Sequence, residues 1–427
     1  MITNINTLGS LFDSLAVELQ TEIFSHSLVP FTSLAAGEGP LKLCHVCRAW
    51  RALAVDTPEL WSSFTISDNI NTDALQFYLR HSRSHPLSIR VVDADKNRFA
   101  DLALIPRAHL HRSRCLDLSI PSQYALGLFS TPSNLTALQH LHLTTHKSSS
   151  RLPFLFDIHA LQIPWGQLAS LHLSLDHGEL PTLDDCYAIL SRCVSLESCS
   201  LKATYSSLSR HAASPLPLPL LRTFRLRLLG EPELVGSEMH GIGLAKFMSA
   251  FSATQLQSLR IEWLVDGIST KMPWPKNYVG IFLGGLRSLS SRVTRLHLAY
   301  LPLLDVDLLE LLRELPHITR LTVKFSLSGH SIDAITNNLL NALVVVPHHH
   351  TVLPLLESIS VQCSGDWYCN TTMLGLIRSR RSPSVEGVIL KSFHLTTMKA
   401  VSAGFSEQAM GWVDEGLKTR IDIISLP

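Results

Sequence analysis

The sequence predicts an α/β protein in which a small N-terminal group of helices precedes a long repetitive region. Apolar residues recur in nine short units with the period of a β-strand, and helical stretches separate several of these units. Residues 12–66 instead place their apolar residues at helical spacing. A chain of 427 residues also exceeds the roughly 250–300 residues over which one compact core usually grows. The protein is therefore expected to be multidomain or elongated.

The repeated unit consists of an apolar residue, two others, a second apolar residue, one other and a third apolar residue. Its last three positions alternate like a short strand with one buried face. Helical stretches such as 183–195, 243–253 and 305–316 lie between units, which predicts a parallel sheet on one face and helices on the other. Two earlier stretches, 86–92 and 115–120, are weaker candidates to extend the sheet. The nine units are Leu138/Leu141/Leu143, Leu168/Leu171/Leu173, Leu196/Cys199/Leu201, Leu221/Phe224/Leu226, Leu256/Leu259/Ile261, Val293/Leu296/Leu298, Ile318/Leu321/Val323, Leu356/Ile359/Val361 and Val385/Val388/Leu390.

The N-terminal region carries two apolar stripes at helical spacing. The first is formed by Leu15, Leu19, Ile23 and Phe24. A loop at 29–40, rich in Gly and Pro, follows it. The second stripe comprises Leu43, Val46, Cys47, Trp50, Leu53 and Ala54. It ends at Thr57-Pro58, because the residue before proline avoids helical dihedral angles. Two or three short helices are expected.

Cys44 and Cys47 form a Cys-x-x-Cys pair that invites a metal or redox interpretation. A structural zinc ion needs four ligands, and the chain has no second pair of this kind. A thioredoxin-like site would follow a strand and open a helix, which this context does not supply. We therefore predict that Cys47 packs in a helical core as a small hydrophobic residue and that Cys44 lies at the edge of that core.

These N-terminal residues resemble the F-box of fungal F-box proteins with leucine-rich repeats. The resemblance spans 12–66 and rests on Leu15, Glu18, Leu19, Ile23-Phe24, Val46-Cys47, Trp50, Thr57-Pro58 and Leu60-Trp61. It implies a three-helix F-box followed, over 67–427, by an irregular solenoid similar to leucine-rich repeats, with a C-terminal cap. Residues 373–382, a strand at 385–390 and a helix within 410–423 look like the last repeat and that cap. Two departures from the family pattern stand out. Ala16 occupies the position of a usual Pro, and His146, Asp176, Thr204 and Leu229 replace the usual Asn or Cys.

The resemblance also implies a function. In this family the F-box binds the adaptor subunit of an SCF-type ubiquitin ligase, and through it a cullin, while the repeats recruit a protein substrate. Carried over by position, the residues that pack within or against the adaptor are Leu15, Leu19, Ile23, Leu41, Val46 and Trp50. The alternatives are a non-catalytic interaction scaffold outside ubiquitin ligases and, third, a hydrolase-type enzyme.

The outward-facing positions of the predicted sheet carry a local excess of positive charge. Across the nine units these positions hold Lys202, Arg225, Arg227, Arg260, Arg295, Arg320, Lys324 and Lys391, against the single acid Glu262. One interpretation is an ordinary solvated face, since exposed positions are polar anyway. The other is a surface that captures an acidic or phosphorylated segment, with Arg225, Arg227, Arg260, Arg295, Arg320 and Lys324 binding the substrate. His140, His142, His172 and His297 are expected on the same face.

Composition and motifs narrow the remaining function classes. Lys and Arg number 36 and Asp and Glu 35, so no overall charge excess points to nucleic acid or an anionic membrane. No secretory signal and no run of about 20 apolar residues is found, so we expect a cytoplasmic or nuclear protein with reduced cysteines. Catalytic and cofactor-binding motifs are missing, so neither an enzyme nor a cofactor is expected. Three further motifs are predicted to have structural roles only. We expect His348–His350 to lie in a solvated loop, 378–381 to be the basic end of a helix, and 214–220 to form a rigid loop.

Overall fold

The computed structural model describes most of the chain, in two compact units formed by residues 1–179 and 180–427. The described residues are 12, 14–34, 38–67, 72–92, 109–129, 135–146, 157–204, 215–230, 242–264, 274–289, 292–327, 333–346, 350–381 and 388–424.

The first unit begins with three short helices and continues as alternating strands and helices. Its α-helices are α1 (Val17–Ser27), α2 (Pro40–Cys44), α3 (Arg48–Asp56), α4 (Thr72–His81) and α5 (Ser122–Phe129). Its strands are β1 (Thr32–Ser33), β2 (Ser63–Ile66), β3 (Leu87–Val91), β4 (Ser113–Pro121), β5 (His140–His146) and β6 (Ser170–Ser174). These strands pair in parallel in chain order, with single 3-10 turns at Pro58–Trp61, Leu110–Arg112, Ile158–Ala160, Trp165–Gln167 and His177–Glu179. Strands β3 and β4 confirm that 86–92 and 115–120 extend the sheet.

The second unit repeats the strand and helix alternation. Its α-helices are α6 (Leu183–Leu190), α7 (Ile242–Ser249), α8 (Lys276–Leu289), α9 (Asp305–Glu314), α10 (Asn337–Ala342), α11 (Asn370–Ser379) and α12 (Ala403–Asp414). Its strands are β7 (Ser198–Thr204), β8 (Leu216–Pro217), β9 (Thr223–Leu229), β10 (Phe251–Ser252), β11 (Ser258–Leu264), β12 (Arg295–Ala299), β13 (Arg320–Lys324), β14 (Ser358–Cys363), β15 (Ser392–Thr397) and β16 (Lys418–Ile423). Eight of them pair in parallel in the order β7-β9-β11-β12-β13-β14-β15-β16. The other two, β8 and β10, form a separate parallel pair.

The repeat pattern is borne out in eight of the nine predicted units. Each places its last two apolar residues in a strand and its first just before that strand, and all of these side chains are at most 4% exposed. Parallel strands that alternate with helices are what the leucine-rich-repeat-like pattern predicts. The fourth and sixth residues of each unit are buried because one pleated face of the strand turns away from solvent.

The ninth unit differs from its prediction, and the predicted C-terminal helix is present only in the first part of 410–423, as the end of α12. Residues 385–387 of the predicted strand at 385–390 lie outside the described residues, and residues 388–390 are not in a strand. The described strand is Ser392–Thr397, which buries Phe393 and Leu395. Residues 418–423, expected within a capping helix, form β16 instead. The helix stops before these residues because Gly416 has a φ of +88°, a left-handed conformation that cannot continue an α-helix and that glycine adopts readily.

Two buried arginines hold turns together in a similar way, one in each unit. The Arg112 guanidinium donates to the carbonyl oxygens of Leu79 and His85, at 3.2 and 3.0 Å. The Arg380 guanidinium donates to the carbonyls of Leu343 and Leu353, at 2.7 and 2.9 Å. Burial lowers the pKa of Arg380 to about 10, so it stays charged at neutral pH. Both arginines satisfy backbone acceptors that would otherwise be buried without a donor.

The 214–220 stretch was predicted to be a rigid loop, and residue 214 lies outside the described residues. Where the structure describes it, Leu216 and Pro217 pair with β10, and the Leu218 side chain is buried. A search of the described residues for helices finds none that is both long and apolar enough to span a bilayer.

Candidate functional site

Helix α1 presents an exposed row of apolar residues. Leu19 and Ile23 are 50% and 46% exposed, and their spacing of four places them along one side of the helix. Leu15, two residues before the helix begins, is 36% exposed. We call these three residues the α1 row. Phe24, on a different side, is buried. The stripe predicted from the sequence therefore divides into one side chain that packs inward and a row that stays in solvent.

An aromatic cluster anchors α1 to α3. The Phe24 ring lies 4.9 Å from Trp50 and 5.4 Å from Phe12, and Phe12 lies 4.8 Å from Trp50, measured between ring centroids. Trp50 is half-buried. Trp50, one of the six residues predicted to pack within or against an adaptor, thus contacts aromatic residues of its own chain.

The turn between α2 and α3 corrects the prediction for the two cysteines. Sequence spacing suggested one continuous stripe, but residues 45–47 interrupt the helix. Cys47 is extended and exposed, and its Sγ accepts a hydrogen bond from the Trp50 amide at 3.4 Å as the N-cap of α3. Cys44, predicted at the edge, is the buried one. The turn decides this, because it rotates Cys47 away from the core that Cys44 still faces.

The other predicted adaptor residues lie on or beside the same turn. Val46 is exposed, and Leu41 is half-buried on α2. None of the six predicted residues is fully buried. The structure therefore leaves four of them, the α1 row and Val46, as exposed apolar side chains, a kind of surface that often marks a protein contact when it is contiguous.

Ala16 stands directly before α1 with φ of −57° and ψ of 145°. Proline fixes φ near about −65°, so this backbone already has the conformation that proline requires. No backbone carbonyl among the described residues accepts a hydrogen bond from the Ala16 amide. The departure from the family pattern at this position thus leaves the local backbone geometry compatible with proline.

In the second unit, three of the predicted substrate-binding arginines surround one carboxylate. Glu262 is nearly buried on β11. Its Oε1 accepts a hydrogen bond from Arg260 Nε at 2.6 Å, and its Oε2 accepts one from Arg227 Nε at 3.0 Å. Arg225 Nη2 lies 3.5 Å from Oε2. His297 Nε2 lies 3.2 Å from Oε1, without the alignment of a hydrogen bond. We call these five residues the Glu262 cluster.

Strand register produces this convergence. Arg225, Arg260 and His297 are lateral neighbours on β9, β11 and β12, and Arg227 is the lateral neighbour of Glu262. Parallel strands bring such neighbours side by side on one face. Sequence reasoning counted Glu262 as the single acid of the face, but could not assign its partners, since these lie 2 to 37 residues away along the chain.

The electrostatics of the cluster follow from its partners. Burial alone would raise the pKa of Glu262, but the nearby His297 imidazole and the hydrogen bonds from Arg260 and Arg227 hold this pKa well below the ordinary value of 4.5. Burial lowers the pKa of His297 from 6.5, despite the neighbouring carboxylate, so this imidazole is neutral at pH 7. Three guanidinium groups and one carboxylate leave the cluster with a net charge of +2.

The remaining predicted basic residues are differently placed. Arg295 and Arg320 are lateral neighbours on β12 and β13, both exposed, and Lys324 lies half-buried at the end of β13. Among the described residues no ion pair involves any of the three. Lys391, also counted in the basic face, lies before β15 and pairs with Glu357 Oε1 at 2.8 Å.

The first unit has a similar set of charged residues and histidines on neighbouring strands, and it includes an acidic residue, Asp117, that the predicted basic face does not contain. Asp117 on β4 accepts a hydrogen bond from Arg90 Nε at 2.6 Å and lies 3.1 Å from His142 Nδ1. Despite burial, these partners lower the pKa of Asp117. The His142 and His172 rings are 3.9 Å apart on adjacent strands. The predicted basic face covers only the nine repeat units, and β4, which carries Asp117, lies before the first of them.

Within the described part of the chain, no group of three or more His, Cys, Asp or Glu side chains is arranged to hold a metal ion. His348 and His349 lie outside the described residues, and His350 is exposed. In comparisons with known proteins, the chain matches no protein-family model and no curated protein.

Proposed function

We propose that the protein is the substrate receptor of an SCF-type ubiquitin ligase, with the α1 row binding the adaptor and the basic residues of the second unit binding a protein substrate. The observation that carries the proposal is the α1 row itself, which stays exposed although it is apolar. Fully burying a Leu or Ile side chain is worth about 1.5–3 kcal/mol. Three half-exposed residues, two on α1 and one just before it, therefore offer a partner a substantial part of the free energy of a specific complex.

Two further features support an adaptor rather than a nonspecific contact. Three short helices, interrupted only by the two-residue strand β1, precede the rest of the sheet, in line with the F-box resemblance, and Ala16 keeps the backbone conformation of the proline that it replaces. Val46 adds an exposed apolar side chain from the turn before α3. Cys47, next to it, caps α3 and so holds that turn in place.

Adaptor binding is tested by Leu19→Asp in the full chain, measured by co-purification and calorimetry with an SCF adaptor subunit. We expect the substitution to abolish capture while the melting temperature stays the same, because Leu19 is half-exposed. The matched control is Val194→Asp, which places the same charge on an exposed apolar residue of the second unit and should leave capture intact. If the wild-type chain fails to bind any adaptor, the receptor function is wrong.

The substrate surface is proposed around Arg295, Arg320 and Lys324, which have no ion-pair partner among the described residues, with the net positive Glu262 cluster beside them. Arginine can donate two parallel hydrogen bonds to a carboxylate or phosphate. An acidic or phosphorylated segment therefore fits this surface. Arg225 and Arg260 are poor choices for charge reversal, because their loss would leave Glu262 buried without its partners.

Charge reversal of Arg295 and Arg320 to Glu tests this surface without disturbing the Glu262 cluster. The double variant should lose capture of substrate from lysate, detected by proximity labelling with the proteasome inhibited, and should still bind the adaptor. Arg313→Glu on α9 is the control for a change of net charge. Wild-type capture should weaken as salt rises. Capture that resists both treatments would place the substrate elsewhere.

The second candidate function is a binding scaffold outside ubiquitin ligases, which would use the same basic surface. The half-life of a captured partner separates the two. A receptor shortens that half-life, and Leu19→Asp restores it, whereas a scaffold leaves it unchanged in both forms.

A further inference from the structure

The outer edge of β16 is open in the described structure. On one side this strand pairs with β15, and no described strand pairs with its other side. The amides of Lys418 and Ile424 donate to the carbonyls of Lys391 and Thr397 on the β15 side. Because successive residues alternate, Thr419, Ile421 and Ile423 point their N–H and C=O groups to the open edge. Such a row is a template for pairing with another strand.

The side chains beside this edge are also incompletely covered. Ile423 is 50% exposed, and Ile424 and, on α12, Val413 are more than a third exposed. In register with β15, Thr419, Ile421 and Ile423 lie on the same face as Phe393, Leu395 and Thr397, which are buried. The apolar layer of the unit thus continues to the edge and ends there in partly exposed isoleucines.

We propose that this edge binds the same edge of a second copy of the chain, in an antiparallel pair centred on Ile421. Only residues whose backbone groups point outward can form the hydrogen-bonded positions of an antiparallel ladder. A two-fold axis at Ile421 pairs it with its own counterpart and pairs Thr419 with Ile423 of the other copy. Thr419, Ile421 and Ile423 are the three residues of β16 whose backbone N–H and C=O groups point to the open edge. A two-fold axis at Ile421 therefore satisfies the hydrogen-bond pattern over residues 419–423 of each chain.

The charges of the strand support a second copy as the occupant. The same axis places Arg420 opposite Asp422 of the other copy, twice, at the closely spaced positions between hydrogen-bonded pairs. Opposite charges directly across a ladder stabilise it, and like charges destabilise it. Within one chain, Arg420 Nε already donates to Asp422 Oδ2 at 2.9 Å, so both side chains lie on the same face. The strand is therefore complementary to itself.

Such an interface is small. Five residues of each strand, with the isoleucines beside them, bury less than a standard stable interface. We therefore expect the dimer to dissociate at roughly micromolar concentration.

The experiment is sedimentation velocity of the full chain between about 1 and 100 µM, a range that spans weak association. The wild type should shift from monomer to dimer. Arg420→Asp and Asp422→Arg should each be monomeric, because each places like charges opposite one another. An equimolar mixture of these two variants should form dimers again, since every facing pair is then opposite in charge.

Ile421→Pro provides a second test that does not use charge. It removes an outward N–H and leaves the bonds to β15 intact, so the monomer should stay folded, with a slightly lower melting temperature from the lost isoleucine packing, and lose the dimer. A wild type that stays monomeric at the highest concentration overturns the proposal and leaves the edge to a strand of another protein. A dimer that survives all three single variants also overturns it.

Discussion

The α1 row and the Glu262 cluster were both predicted to be binding surfaces, but the folded chain treats them differently. The apolar side chains of the row remain half-exposed. In the cluster, the chain supplies its own carboxylate to three arginines. Residue type therefore does not tell how much binding capacity is left for a partner. That capacity depends on whether the fold has already brought a complementary group into contact.

The largest effect is expected at Trp50, the predicted adaptor residue that belongs to the aromatic cluster. Trp50→Ala should destabilise the protein by about 2–3 kcal/mol, below the 3–5 kcal/mol typical of a fully buried Trp, because part of the ring is exposed. Leu19→Ala should change the free energy of unfolding by less than about 0.5 kcal/mol. Urea denaturation measures both. Equal effects of the two substitutions would contradict the division between inward and outward residues.

The next largest change in the free energy of unfolding is expected in the Glu262 cluster. Glu262→Gln should cost about 2 kcal/mol, less than a fully buried ion pair, because its arginines keep part of their surface in water. The pKa of Glu262 is lowered in the folded state, so its contribution is present above about pH 4.5 and is lost as the pH falls below that value.

The pH dependence of unfolding tests this directly. The acid limb of a stability curve should be less steep for Glu262→Gln than for the wild type. Arg313→Gln, on an exposed helix position, serves as the control and should leave the curve unchanged. Identical acid limbs for wild type and Glu262→Gln would show that the carboxylate is not held by its neighbours.

A smaller effect distinguishes the two cysteines, with the order opposite to the one predicted from the sequence. Cys44→Ser should destabilise by about 1–2 kcal/mol, because the hydroxyl would be buried without an evident partner. Cys47→Ser should be nearly neutral, since Ser is a favoured N-cap residue. Thermal unfolding of both variants measures the difference. A silent Cys44→Ser would restore the original assignment.

The smallest expected effect is a gain. Ala16→Pro should stabilise the protein by about 0.4–1 kcal/mol, because proline restricts the unfolded chain and the native φ of −57° already suits it. Adaptor affinity should be kept or improved. Gly in place of Ala16 is the control and should destabilise slightly. Loss of stability on introducing proline would mean that the Ala16 amide has a partner that proline removes.

The sequence by itself determined the strands and helices that repeat, because their apolar residues are spaced to bury one face of each strand. Eight of nine units were located this way, and so was the apolar stripe of α1, although not which of its residues stay exposed. The ninth failed because strong local signals, such as Val385 and Val388, outweighed Phe393 and Leu395 in a one-dimensional pattern.

Tertiary structure alone decided which charges meet and which cysteine is buried. Arg225, Arg227 and Arg260 reach Glu262 through strand register, which joins residues far apart in the chain. The turn at 45–47 depends on how α2 and α3 pack and on the N-cap formed by Cys47, and it reverses the orientation of two residues only three positions apart. Periodicity reports which residues face a core, whereas partners across strands and rotations at a turn arise only when separate segments come together in space.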